Sequence, residues 1–171
     1  MKQDKQKIQF AGNRPLLTYK DNSLLACLKR HEVRDERVLT LFAELVAASG
    51  LERALAAQPC TVLVPHNLAL ARFQRPANQE ALKQFIRDHV LDGRLTLGGP
   101  GSKERYSFPG NGQVRTRGGH LLKVERGNGI WLVTGSAPGF ARVLTADLPF
   151  ANGVFHVLDR TAPIAPASRI D

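Results

Sequence analysis

The chain has 171 residues, 43% of them apolar, which excludes an intrinsically disordered chain and suits one domain with a core that needs no staples. Its formal net charge of +9 points toward polyanions such as acidic polysaccharide, nucleic acid or an anionic membrane face, or simply toward solubility. No apolar run is long enough to span a bilayer, and fifteen glycines and ten prolines spread along the chain favour many turns over a helical bundle.

Residues Met1 to Asp21 read as a polar lead-in interrupted by Pro15. Asn22-Ser23 gives an N-cap signal before Leu24, Leu25 and Leu28, and the charged run Lys29 to Arg37 reads as a solvated helix end or loop. An amphipathic helix follows, with Thr40 as its expected cap, Leu41, Phe42, Leu45 and Val46 as its stripe, and Gly50 as its stop. A short helix is expected over 52–57. Thr61-Val-Leu-Val64 is a buried strand by its β-branched run, ended by Pro65. Asn67 is the expected N-cap of a helix from Leu68 to Phe73. Asn78 precedes a longer helix with Leu82, Phe85, Ile86 and Val90 on one face and Gly93 after it.

From Arg94 the pattern turns to β. Leu95 and Leu97 alternate, Gly98 to Gly101 is a loop, and Tyr106 to Phe108 reads as a short strand. Strands are expected over 113–117, 121–126 and 130–134, divided by Gly118-Gly119 and Gly127-Asn128-Gly129 turns. The last strands are expected over 142–146 and 153–158, with Asn152-Gly153 as the turn between them. In the final strand Val154, His156 and Leu158 share one face, and Phe155, Val157 and Asp159 the other. The organisation is therefore a lead-in over 1–21, one domain over 22–166 and a tail over 167–171.

Three segments resemble the fasciclin (FAS1) family. Thr61 to Leu70 is similar to the family's first motif, a buried strand, a proline and a polar pair that caps a helix. Leu82 to Leu91 is similar to the helix that ends in the family's central histidine, here His89. Leu144-Thr-Ala-Asp-Leu-Pro149 followed by Asn152 to Arg160 resembles the second conserved motif and is the most specific of the three. The resemblance runs from Val38 to Ile164. It implies an α+β fold, a wedge-shaped β-sandwich with helices packed on one side. It also implies a non-enzymatic adhesion or binding module outside the cytoplasm, although Met1 to Lys7 is polar and carries no signal-type apolar run. The sequence departs from the family pattern at His66, Leu70 and Asp88, where Thr, Phe and Tyr are common. Tyr at the last of these is linked to integrin binding in animal matrix members.

The candidate site residues are of three kinds. Asp147, Leu148 and Pro149 stand where those matrix proteins carry an integrin motif and are candidates for protein contact. Arg115, Arg117, Lys123 and Arg126 are candidates for binding a polyanion, with the N-terminal lysines as a rival site. Asn67, His89, Asn152, Gly153 and His156 are read as structural. Five histidines without a Cys or carboxylate cluster do not make a metal site, and no cofactor is expected. His156 and Asp159 point to opposite faces, which argues against a catalytic dyad. Gly98 to Lys103 lacks the spacing of a phosphate loop, and Ser102 and Ser136 lie outside any nucleophile-elbow motif. Aromatics make up only 6% of the chain, too few for a single-strand nucleic-acid platform, so no specific nucleic acid is expected. Cys27 and Cys60 match no metal spacing and read as two buried thiols, pairing only if the fold joins them. The expected partners are a protein receptor or an acidic polysaccharide, with the chain acting as a monomer. The alternative is a carrier of a hydrophobic small molecule held between helices and sheet.

Overall fold

The computed structural model describes residues 22–31, 38–99 and 102–165. The lead-in to Asp21, most of the charged run after Arg30, the second half of the Gly98–Gly101 loop and residues 166–171 lie outside the described residues. Five helices come first or alternate with the first strand: α1 (Leu24–Arg30), α2 (Thr40–Ser49), α3 (Glu52–Ala56), then β1 (Cys60–Pro65), α4 (Asn67–Ala71) and α5 (Gln79–Arg87). The rest is β: β2 (Val90–Asp92), β3 (Gln113–Arg115), β4 (Leu121–Gly127), β5 (Ile130–Thr134), β6 (Ala141–Phe150) and β7 (Gly153–Leu158).

The caps explain where the helices begin, and two differ from expectation. Ser23 caps α1 as read and Asn78 caps α5, their side chains accepting from the Ala26 and Ala81 amides. Thr40 does not cap α2. The cap position is Leu39, which has no side-chain acceptor, and the Asn67 Oδ1 accepts the Leu41 amide at 2.9 Å from across the fold. Asn67 also donates to the Thr40 hydroxyl at 2.9 Å. The cap of its own helix is His66, whose Nδ1 accepts the Ala69 amide at 3.0 Å. Asn67 therefore holds the start of α2 rather than of α4.

The strands hydrogen-bond in the order β2-β1-β7-β6-β5-β4-β3, a seven-stranded mixed sheet. β1 is antiparallel to β2 and parallel to β7, while β3 to β7 are successively antiparallel. A Leu91–Thr116 bridge joins the region after β3 to β2, so the sheet nearly closes on itself as a barrel. The α+β class and the helices against one side of the sheet are as expected. The pairing describes one nearly closed sheet, however, and not two stacked layers. Tyr106 to Phe108 is not a strand: it is irregular chain anchored on Thr96, whose carbonyl accepts the Ser107 amide at 2.9 Å.

Two cores result. Outside the sheet, Leu28, Phe42, Val46 and Ile86 from the helices meet Val62, Val64, Phe155 and Val157. Inside it, Leu63, Leu91, Phe108, Leu122, Val133 and Leu158 fill the near-barrel. All six residues of β1 and all six of β7 are buried, as strands covered on both faces must be. Each fully buried aliphatic or aromatic side chain contributes about 1.5–3 kcal/mol, so this domain holds together without a disulfide. Cys27 and Cys60 are both free thiols, Cys60 fully buried and Cys27 half-buried, and burial raises the pKa of each.

Candidate functional site

The most specific sequence motif lies on β6 and β7, and its geometry follows from an irregular strand. The β6–β7 register slips between Val143 and Thr145 and again between Thr145 and Leu148. At the second slip Asp147 takes φ +61°, a left-handed conformation that Asp tolerates better than most residues. The bulge turns the carboxylate inward, and the Asp147 side chain is only 3% exposed. Its two oxygens accept the Leu97 amide at 2.8 Å, the Gly98 amide at 2.9 Å and the Ser102 hydroxyl at 2.7 Å. Asp147 thereby holds the segment after β2 against β6. Leu148 is half-buried against the outer core, and Pro149 is exposed. Of the three candidates for protein contact, Pro149 presents the free surface.

Replacing Asp147 by Asn should cost about 2 kcal/mol, because an amide supplies one acceptor where three donors converge. Chemical denaturation would measure this, and an unchanged midpoint would show that the loop does not depend on the carboxylate.

Two histidines complete the interior. The His156 Nδ1 accepts the Asp147 amide at 3.0 Å, and its Nε2–H donates to the Leu95 carbonyl at 2.9 Å. The Asp147 carboxylate is 3.7 Å from that ring, but a nitrogen that accepts an N–H carries no proton, so the neutral ring is the one that fits. His89 is built the same way: Nδ1–H donates to the Phe85 carbonyl at 2.9 Å and Nε2 accepts the Ala162 amide at 2.9 Å. Desolvation lowers the pKa of both rings, that of His89 to about 4. The β6–β7 turn is tied to the helical side by Asn152, whose amide donates to the Leu55 and Gln58 carbonyls, each at 2.7 Å. Gly153 faces the Cys60 backbone across the parallel β1–β7 pair.

Asp88, which stands where the family pattern has Tyr, accepts the Gln84 amide, the Thr116 hydroxyl at 3.0 Å and the His120 Nδ1–H at 2.7 Å. It joins the end of α5 to the turn after β3. Among the described residues no cluster of three or more His, Cys, Asp or Glu could hold a metal ion.

The basic quartet is split by the pleat. Arg115 and Lys123 lie exposed on the outer face of β3 and β4, with Gln113 opposite Lys123 and Leu121 opposite Arg115. Arg117 is past the end of β3, its Nε donating to Asp92 at 2.7 Å. Arg126 falls on the other face by alternation and sits 5.6 Å over the Trp131 ring, which in turn stacks on Tyr106. Only half of the quartet is one patch.

Sequence reading missed a second basic feature. An open groove of about 590 Å³ lies between α4 and the ends of β6 and β7, lined by His66, Leu68, Arg72, Phe73, Arg142 and Arg160, with Asp159 beside them. These residues are some seventy to ninety positions apart in the chain, and only the parallel β1–β7 pairing brings α4 beside the end of β7.

Comparison with known proteins agrees with this architecture. The fasciclin domain family model matches residues 37–162. Protein sll1483 of Synechocystis sp. (strain ATCC 27184 / PCC 6803 / Kazusa) is 29% identical over 134 residues, 74% of this chain and 67% of that protein. A solved FAS1 domain pair from the insect cell adhesion molecule fasciclin I superposes with a TM-score of 0.54 at 19% identity. That match covers 77% of this chain, which spans 46% of the solved one, and it speaks for the fold alone. With most of its length matched and the fold shared, this chain belongs to the fasciclin domain family.

Proposed function

We propose that the domain is a non-enzymatic adhesion or binding module that works as a monomer outside the cytoplasm and recognises a protein or an acidic glycan. Fasciclin domains are typically extracellular or surface modules associated with adhesion, and generally not enzymes. No described helix is long and apolar enough to cross a membrane. The observation that carries the reading is how the reactive side chains are used. Asp147, Asp88, His89 and His156 are held in internal hydrogen bonds, while cationic side chains occupy the surface. Pro149, exposed two residues beyond the inward-turned Asp147, is the proposed protein-contact point on β6. Arg115 and Lys123 are the proposed glycan contacts.

Retention on a heparin column tests this. At low salt the chain should be retained, and elution should move sharply with salt as the Debye length falls to about 10 Å near 0.1 M. Reversing Arg115 and Lys123 to Glu should bring elution forward more than reversing Arg117 and Arg126, whose side chains are held by Asp92 and Trp131. Removal of residues 1–21 tests the N-terminal lysines as the rival site. If none of these changes moves the peak, the basic surplus serves solubility only.

A second reading rests on an apolar pocket of about 260 Å³ lined by Leu24, Leu25, Val46, Leu55 and Ala56. Drug-sized ligands occupy roughly 300–1,000 Å³, so this pocket as it stands takes a small apolar guest rather than a pigment. Displacement of a fluorescent apolar probe, lost on Leu55→Trp, would support it.

A further inference from the structure

The groove between α4 and the ends of β6 and β7 is electrically and chemically two-sided, and we infer that it binds an acidic peptide segment with an apolar side chain next to its carboxylates. The inference rests on the binding-module reading but uses a different surface from the β3–β4 face.

The groove holds three guanidinium groups, on Arg72, Arg142 and Arg160, against one carboxylate among its described lining residues. That carboxylate, Asp159, is already committed: it accepts the Arg142 amide at 2.7 Å and the Arg142 Nε–H at 3.1 Å. Arg72 and Arg160 therefore line the groove with no carboxylate partner among the described residues, and each guanidinium is a planar fork suited to carboxylate oxygens.

His66 adds a neutral donor. It is only 8% exposed, and its Nδ1 is fixed as an acceptor by the Ala69 amide. The ring proton must then sit on Nε2, an N–H for which the fold supplies no acceptor among the described residues and which belongs to a side chain lining the groove. An imidazole held in one tautomer, on a residue that lines a cationic groove, keeps an N–H that an incoming oxyanion can accept.

The apolar half decides between classes of partner. Leu68 is 48% exposed at the lip, and Phe73 is half-buried in the wall, stacked on Phe85 at 4.6 Å. Covering Leu68 returns free energy only to a partner that has apolar surface of its own. A sulfated or uronate glycan offers only its ring C–H faces between charged groups and gains less there. A peptide that alternates acidic and apolar residues gains on both counts.

The test uses the isotopically labelled full chain and a short blocked peptide of alternating Glu and Leu, followed by amide chemical shifts. Shifts should concentrate at His66 to Phe73 and at Arg142, Arg160 and Thr161, and affinity should fall with salt. Replacing the peptide's Glu by Gln, or separately its Leu by Ala, should weaken binding by roughly 10-fold. Arg72→Glu and Arg160→Glu should do the same to the intact peptide without altering heparin retention through Arg115 and Lys123. Equal binding of the Gln peptide overturns the proposal, as does equal binding of the Ala peptide. So does a heparin-derived oligosaccharide that shifts the groove amides when the peptide does not. Loss of peptide binding with heparin retention intact sinks this inference alone; loss of both sinks the binding-module reading as well.

Discussion

A Gly153→Ala substitution should destabilise the domain by about 3 kcal/mol or more, although it adds a single methyl group. A Cβ at this position would lie 1.8 Å from the Cys60 carbonyl oxygen and 2.9 Å from its carbonyl carbon. Both are backbone atoms, so no side chain can swing aside. Gly153 is paired with Cys60 at the start of the parallel β1–β7 ladder, and the Cys60 amide bonds to the Asn152 carbonyl at 3.1 Å. The methyl must therefore push β1 from β7 where the two strands that separate the cores are buried on both faces. For a domain of this size the loss corresponds to roughly 6–12 °C in Tm. Gly110→Ala is the control, since a Cβ there meets nothing within 4 Å. A Gly153→Ala variant that melts with Gly110→Ala would mean that the strands spread without cost.

The second large effect is acid sensitivity well above the carboxylate range. His89 is neutral in the fold, with a pKa lowered from 6.5 to about 4 because it is buried. In the unfolded chain it returns to about 6.5. Between these values the unfolded state binds the proton and the folded state does not, so stability falls as pH falls through this window. The contribution is complete above about pH 6.5 and reaches a loss of order 3 kcal/mol near pH 4. His156 shifts in the same direction for the same reason and adds to the slope. Protonation would place a hydrogen on the His89 Nε2 against the Ala162 amide, and on the His156 Nδ1 against the Asp147 amide. Urea unfolding at pH 7.5 and pH 4.5 should show a clear drop in midpoint. His89→Gln should lower stability at neutral pH and flatten the pH dependence. Equal midpoints at the two pH values would show that these rings accept protons without disturbing the fold.

Much of this architecture is legible in the residues. The β-branched run of β1, the Asn152-Gly153 turn and the alternation of Phe155 and Val157 against His156 and Leu158 are local patterns, and the strands follow them. What local patterns do not carry is a partner. Asn67 has the chemistry of a cap and does cap a helix, but α2, twenty-six residues back. Asp147 reads as a candidate for protein contact; two register slips in β6 turn its side chain inward. Arg115 and Arg117 look like neighbours on one strand face, but β3 ends at Arg115 and Asp92 takes Arg117. The groove of Arg72, Arg142 and Arg160 has no local signature, because it depends on β7 returning beside β1.

That return has a temporal side. The strand that divides the two cores, β1, is flanked by β2 and by β7, whose first residue follows Cys60 by some ninety positions. A chain emerging from a ribosome carries β1 with one flank open until Leu158 has appeared. Until then the apolar face that α1 to α5 cover is incomplete, and the loop to be closed is well over half of the domain. Non-local parallel pairing of this kind folds slowly and leaves hydrophobic strand exposed meanwhile. Neither core can be completed before the segment that ends at Leu158 has paired, so the final motif sets when folding can finish as well as forming part of the fold.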